Sequence, residues 1–322
     1  MVIKERNLPI RIEMDRALLR RLPKNHSKRP KIEEDLARRM AGYRGEQSLD
    51  FPLNKLPHKD YMIFHDVRLL NNNYYFQIDT LLISPYYALI LEVKNISGTL
   101  HFDNDFHQLI RTANEKEEGF PNPLLQARQQ RDEFKIWLAD HKFYEIPVEY
   151  LVVISNPSTV IKRGPGNSQW LKKVVHSAEL LDKMAELKGR YTQQQICNKS
   201  MRKISRLILQ KHSFQRIEIL KSYDINQRDV LTGVQCPSCF FLPMIYETRK
   251  WFCPSCHNHL PDAHVQAIND YFLLINSTAT NQQICSFLHL NSRHITKRLL
   301  TNLAIPHSGT GKARVYYSPF MK

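Results

Sequence analysis

The chain has 322 residues, 42% of them hydrophobic, enough for two to three packed domains, which excludes a disordered chain. A net charge of +15 and a pI near 9.5 favour polyanionic partners, nucleic acid ahead of an anionic membrane surface, with a merely basic protein as the plain alternative. The longest apolar runs, "YALILEV" and "YLVVIS", are too short for a bilayer, the N-terminus lacks a signal-peptide core and no strongly amphipathic basic helix stands out, so a cytoplasmic protein with no membrane partner is expected.

Residues 1–30 are basic and proline-punctuated and read as an arm or a loosely packed entry. From Lys31 to about Ser48 the spacing of Ile32, Leu36 and Met40 predicts a helix that carries "GYRGE" and ends on Glu46. Strand-like runs follow, "YMIFHDVRLL", "YYFQIDTLLIS" and "YALILEVKN", then the shorter "GTLHFD" and "FHQLIRT", with a turn at residues 71–73. "NPLLQARQQRDEFKIWLAD" predicts a helix capped by Asn122 with Pro123 in its first position. "VEYLVVISN" reads as a buried strand inside a mixed sheet, and "AELLDKMAELK" and the basic "TQQQICNKSMRKISRLILQKH" as helices closing this part near residue 222. That order is α/β.

Asp79, Glu92 and Lys94 are charged residues inside apolar strands, where unpaired charge is seldom tolerated. With period two, Glu92 and Lys94 share a face, roughly 6.7 Å apart. The two strands can pair antiparallel through the turn at Ser84 and Pro85 and bring Asp79 beside Glu92. Adjacent carboxylates repel unless a cation sits between them. Mg²⁺ suits oxygen ligands and activates water for phosphodiester hydrolysis, with Lys94 placed to orient that water or neutralise the oxyanion. An exposed hairpin with an ordinary Glu–Lys pair gives the same spacing.

Taken in order, "GYRGE" (42–46), "FQIDTLLIS" with Asp79, "LILEVKNISG" with Glu92 and Lys94, and "NPLLQARQQ" with Gln126 resemble the NERD (nuclease-related) domain of the PD-(D/E)XK nuclease superfamily over residues 37–130. The resemblance implies a restriction-endonuclease-like mixed sheet flanked by helices. It implies Asp79 and Glu92 as ligands of Mg²⁺ or Mn²⁺ with the Val93 carbonyl as a third, and Lys94 as catalytic lysine. Glu46 would be an additional acid and Gln126 a hydrogen-bonding residue; surface positions for both are the plainer readings. No expected residue type is replaced.

Composition shifts at Asp229. Cys236-Pro-Ser-Cys239 and Cys253-Pro-Ser-Cys256, thirteen residues apart, have the spacing of four thiolates around one structural Zn²⁺ and resemble a zinc ribbon. A redox pair would not need two copies. Arg249, Lys250 and Trp251 offer this module a nucleic-acid contact; a solvated basic turn would look identical. Cys197 and Cys285 stand alone. The last sixty residues read as helices with a core of Ile284, Phe287, Leu288, Leu290, Ile295, Leu299 and Leu300, resembling a helix-turn-helix followed by a wing. Arg293, Lys297, Arg298, Lys312 and Arg314 are the candidate nucleic-acid contacts; a helical domain for protein contacts is the alternative.

The expected organisation is an arm (1–30), a nuclease-like domain with trailing helices (31–222), a zinc ribbon (229–262) and a helix-turn-helix or winged-helix-like domain (263–322). The expected function is metal-dependent hydrolysis of nucleic acid, DNA before RNA. A DNA-associated regulator without turnover is the alternative.

Overall fold

The computed structural model describes residues 1–57, 59–103, 106–162 and 169–320. The chain forms two compact units, Met1–Asn7 with Met40–Gln215 and Leu8–Arg39 with Arg216–Lys322. Its first elements are β1 (Val2–Lys4), α1 (Ile10–Arg21), α2 (Arg29–Gln47), α3 (Asp50–Asn54), β2 (Met62–Asn71), β3 (Tyr74–Ile83) and β4 (Ala88–Lys94). Next come β5 (Thr99–Asp103), β6 (Gln108–Ala113), β7 (Lys116–Pro121), α4 (Pro123–Asp140), β8 (Val148–Ile154), β9 (Val160–Lys162) and β10 (Val174–His176). Helices α5 (Leu180–Arg190), α6 (Asn198–Lys211) and α7 (Ile219–Ser222) lead to β11 (Ile245–Glu247), β12 (Lys250–Phe252) and β13 (His259–Leu260). The chain closes with α8 (His264–Leu274), β14 (Thr278–Thr280), α9 (Asn281–Phe287), α10 (Arg293–Asn302), β15 (His307–Ser308) and β16 (Val315–Tyr317).

The first unit is built on a mixed sheet of order β1-β2-β3-β4-β8-β10. β2, β3 and β4 are antiparallel neighbours, whereas β8 runs parallel to β4 and to β10, so β8 is buried on both faces as its continuous apolar run requires. One face packs Ala88 and Ile90 of β4 against Leu124, Ala127 and Phe134 of α4 and Met201, Ile204 and Ile208 of α6. The other packs Leu89, Leu91 and Val93 against Leu49, Leu53 and Met184. A second sheet, β7-β6-β5-β9, includes a hairpin turning on Asn114 and Glu115, both at positive φ, the geometry that right-twisted strands favour. β7, with three charged residues in six, carries no apolar alternation and is invisible to sequence patterning.

In the second unit the first thirty residues are not a loose arm. Met14, Ala17 and Leu18 of α1 are buried with Ile219, Tyr223, Leu273 and Leu274. Arg21, 1% exposed, donates to Asp270 Oδ2 at 2.7 Å and to the Gly233 carbonyl at 2.6 Å. The arginines that suggested an arm are in part buried ion-pair partners. Val2–Lys4, in the other unit, is a strand parallel to β2. The cysteine module and the last sixty residues share one core: Val234, Met244 and Trp251 pack with Ile268, Ile284, Leu288 and Leu300.

Candidate active site and cysteine cluster

β2 and β3 change phase at one place. Their inward residues are Phe64 then Val67 and Leu69 on β2, and Phe76 and Ile78 then Leu81 and Ile83 on β3. The break falls at Asp66, at φ +51°, which the strand register sets opposite Asp79. Lys4 Nζ secures the break by donating to the carbonyls of His65 and Asp66. The pairing of Thr80 with Leu91, extended by one residue, sets Asp79 opposite Glu92. Freed from the ladder there, the Val93 N–H donates to Asp79 Oδ2 at 3.1 Å. The sequence therefore places two acids across a kinked antiparallel pair.

Glu92 is 1% exposed and both its oxygens are engaged. Lys94 Nζ donates to Oε1 at 2.6 Å and Gln130 Nε2 to Oε2 at 2.7 Å. Lys94 also donates to Gln126 Oε1 at 3.1 Å. Both glutamines stand on α4, one turn apart, and α4 starts as its sequence dictates, with Asn122 Oδ1 accepting from Leu124 N behind Pro123. Sequence reasoning missed Gln130. The available signal was its i+4 spacing from Gln126 in "NPLLQARQQ", which puts both amides on one helix face.

Glu46 approaches from α2. Gly45 makes this possible: a Cβ there would lie 2.5 Å from Asn95 Cβ and 2.7 Å from Ser155 Oγ, so only glycine lets α2 pass this close to the ends of β4 and β8. Glu46 is tied to a residue no motif indicated. Arg6, whose side chain is 3% exposed, donates to Glu46 Oε2 at 2.7 Å, Asp50 Oδ1 at 3.1 Å and Thr80 Oγ1 at 3.1 Å, and lies 2.8 Å from His65 Nδ1. His65 is held neutral, its pKa lowered to about 3 by burial and then by Arg6 and Lys4.

The acids act on one another. Burial, then the charges of Glu92 and Glu46, raise the Asp79 carboxyl well above its ordinary range, against the Val93 N–H and Lys94. Burial raises Glu46 to about 7, with Asp66 and Glu92 adding to the rise and Arg6 opposing it. The Gln130 carbonyl oxygen is buried beside Glu92 without a hydrogen-bond partner. This set is rich in oxygen acceptors and strained by its own negative charge, which fits a hard divalent cation. The acids do not form a closed cage. Among the described residues, the His, Cys, Asp and Glu ligand atoms that gather in a group of three or more within 4.8 Å are the four cysteines alone. An ion at the acids would therefore keep much of its water.

The cysteines come from two knuckles with the same hydrogen bonds. Cys236 N and Cys253 N donate to the carbonyls of Phe241 and Asn258, and the Phe240 and His257 N–H groups donate back to Cys236 and Cys253. Phe240 and His257 each have φ near +60°. Cys236 Sγ lies 3.6 Å from Cys256 Sγ, and Cys239 Sγ 3.4 Å from Cys253 Sγ. Such crowding suits thiolates around one metal ion. Trp251, offered by the sequence for either a nucleic-acid contact or a solvated turn, is 1% exposed and donates to His264 Nδ1 at 3.1 Å, so it is a core residue.

On α10, Arg293, Lys297 and Arg298 are exposed. Arg293 reaches Gln282, and Arg298 donates to the Tyr246 hydroxyl at 3.0 Å. Arg314 is half-buried, its Nε without a partner, and the Lys312 side chain lies outside the described residues.

Residues 41–155 match the family described as the nuclease-related domain (NERD), and the chain carries that domain there, with its restriction-endonuclease-like fold. The match takes in Glu46, Asp79, Glu92, Lys94, Gln126 and Gln130, and leaves out Arg6 and all four clustered cysteines. No curated protein matched the chain.

Proposed function

We propose that the protein is a Mg²⁺- or Mn²⁺-dependent nuclease that hydrolyses phosphodiester bonds in DNA. The observation that carries this reading is the pair of opposed acids, half-buried Asp79 and buried Glu92, with Lys94 2.6 Å from Glu92, inside a nuclease-related domain. Asp79, Glu92 and the Val93 carbonyl would hold the metal, with Glu46 as an additional acid behind them. A bound divalent cation lowers the pKa of a coordinated water and stabilises charge on the scissile phosphate. Lys94 has a proton to place against the oxyanion that develops as the phosphate is attacked. Gln126 and Gln130 hold Lys94 and Glu92 in register, so the charged groups need not reorganise during the reaction.

The cysteines would bind one structural Zn²⁺ in a ribbon over residues 229–262. The order helix, strand, helix, helix, strand, strand after residue 263, with β16 between β14 and β15, supports a winged-helix reading with α10 as the recognition helix and residues 309–314 in the wing. That unit favours DNA over RNA. Four gathered thiols with no disulfide fit a reducing, cytoplasmic setting.

Incubation with plasmid, linear duplex, single-stranded DNA and RNA, with and without Mg²⁺ or Mn²⁺, tests the reading. Metal-dependent cleavage is expected, with losses of several orders of magnitude for Asp79→Ala, Glu92→Gln and Lys94→Ala if the residues act as a unit. Folded variants that cut like the parent would remove the site. One observation favours a second reading, a DNA-binding protein without turnover: Lys94 and Gln130 already engage both Glu92 oxygens. In that case parent and variants bind DNA alike and none cuts it.

A further inference from the structure

Helix α6 carries Lys199, Arg202, Lys203, Arg206 and Lys211, all exposed, and no acidic residue. Among the described residues none of the five forms an ion pair. Only Lys203 has a marked neighbour, the Phe143 ring, 5.5 Å from its Nζ. Lys199, Arg202, Lys203 and Arg206 follow at intervals of three, one and three, which makes a single stripe about 10 Å long on a helix. The opposite face is already used, because Met201, Ile204 and Ile208 are buried in the core shared with α4. An amphipathic basic helix on a membrane needs that apolar face free; here it is not.

We propose that this stripe is a binding surface for the phosphate backbone of nucleic acid. It rests on the nuclease reading for the identity of the polyanion and adds a surface outside the nuclease-related match. Unpaired cations without acids among them give up no ion pair when a polyanion docks. Helix α6 and the acids also share a side of the sheet: Ala88 and Ile90, which pack in the α6 layer, alternate in phase with Glu92 and Lys94. A stripe of about 10 Å matches roughly three phosphates of one strand, which rise about 3.4 Å each.

The test is binding of a labelled duplex and a labelled single strand to the full chain, with no Mg²⁺ or Mn²⁺ added and no chelator, from 50 to 400 mM KCl. The variant K199Q/R202Q/K203Q/R206Q changes only exposed side chains, and its melting temperature checks the fold. Losing contacts to about three phosphates should flatten the slope of log affinity against log salt by about 3 and weaken binding at 150 mM on the order of 100-fold. Arg202→Lys with Arg206→Lys should keep the slope. Equal slopes in parent and quadruple variant would overturn the proposal and leave the cleavage result untouched. A flattened slope in a protein that cuts no substrate would uphold the surface and remove the nuclease reading. Loss of binding to phosphatidylserine vesicles with nucleic-acid binding unchanged would overturn the proposal in favour of a lipid surface.

Discussion

Gln130 donates to Glu92 Oε2 at 2.7 Å from a position one helical turn beyond Gln126. With Lys94 on Oε1, it completes the donors around a carboxylate that is 1% exposed. Replacing it by leucine removes a donor from a buried charge and leaves the shape nearly intact. Gln130→Leu should lower cleavage about 10- to 100-fold and weaken Mn²⁺ binding by a similar factor, the usual cost of losing a group that orients a metal ligand. Gln130→Glu, which adds a fourth acid, should be worse at pH 8 than at pH 6. Calorimetric Mn²⁺ titration alongside cleavage rates checks both statements, and a Gln130→Leu protein with parental metal affinity would contradict them.

The raised carboxyls make stability depend on pH. Glu46 titrates at about 7 in the folded chain and in the ordinary carboxylate range when unfolded. Its contribution is fully present below about pH 4.5 and is lost as pH rises through 7, because only the unfolded chain has released the proton in that window. Asp79 shifts in the same direction. Metal-free protein should therefore lose roughly 2 kcal/mol, or about 4–8 °C in melting temperature, between pH 5.5 and 8 from these groups. Mn²⁺ should restore it at pH 8. Asp79→Asn should raise the metal-free melting temperature at pH 8 and abolish the response to Mn²⁺. Scanning calorimetry at the two pH values, with and without metal, measures each part.

Purified protein should hold one Zn²⁺ per chain. Cys236 and Cys253 are core residues packed with Trp251, so losing the ion should open that core. Chelation should shift tryptophan emission to the red, and Trp251→Phe should remove most of the shift. Cys253→Ser should bind no stoichiometric zinc. A protein that contains no zinc and keeps Trp251 buried would rule out the structural metal.

Lys297→Ala with Arg298→Ala tests the C-terminal helices better than deletion does, because Asp270 of α8 is the partner of Arg20 and Arg21. Deletion would leave two arginines unpaired, one of them buried. The double variant should flatten the salt slope for DNA by about 2 and leave cleavage at saturating substrate within about two-fold. An unchanged slope would assign α10 to another kind of partner.

Much of the candidate site was legible because its pattern is local. Asp79, Glu92 and Lys94 interrupt apolar strands, and Gln126 stands in the first turn of a proline-started helix. Gly45 could be read as part of a motif but not explained, since its reason is the approach of Asn95 and Ser155, fifty and more residues away. Arg6 was illegible for the same reason: its partners Glu46, Asp50, His65 and Thr80 come from other elements. The strands β1, β9 and β10 have three residues each, too few for any period to show. The amphipathic character of α6 shows only around the helix, where Met201, Ile204 and Ile208 face the core and Lys199, Arg202, Lys203 and Arg206 are exposed.

Residues 1–7 and 40–215 belong to one unit and residues 8–39 to the other, so the units interlace along the chain. During synthesis α1 leaves the ribosome early, but Asp270, the partner of Arg21, lies 249 positions later. At about 5–20 residues per second, that is a wait of about 12–50 s. Until Ile219 and Tyr223 are also made, the apolar stripe of Met14, Ala17 and Leu18 lacks much of its native cover. For the same reason no single break in the backbone yields two whole units. An expressed fragment ending near residue 222 would carry α1 with much of its cover never made.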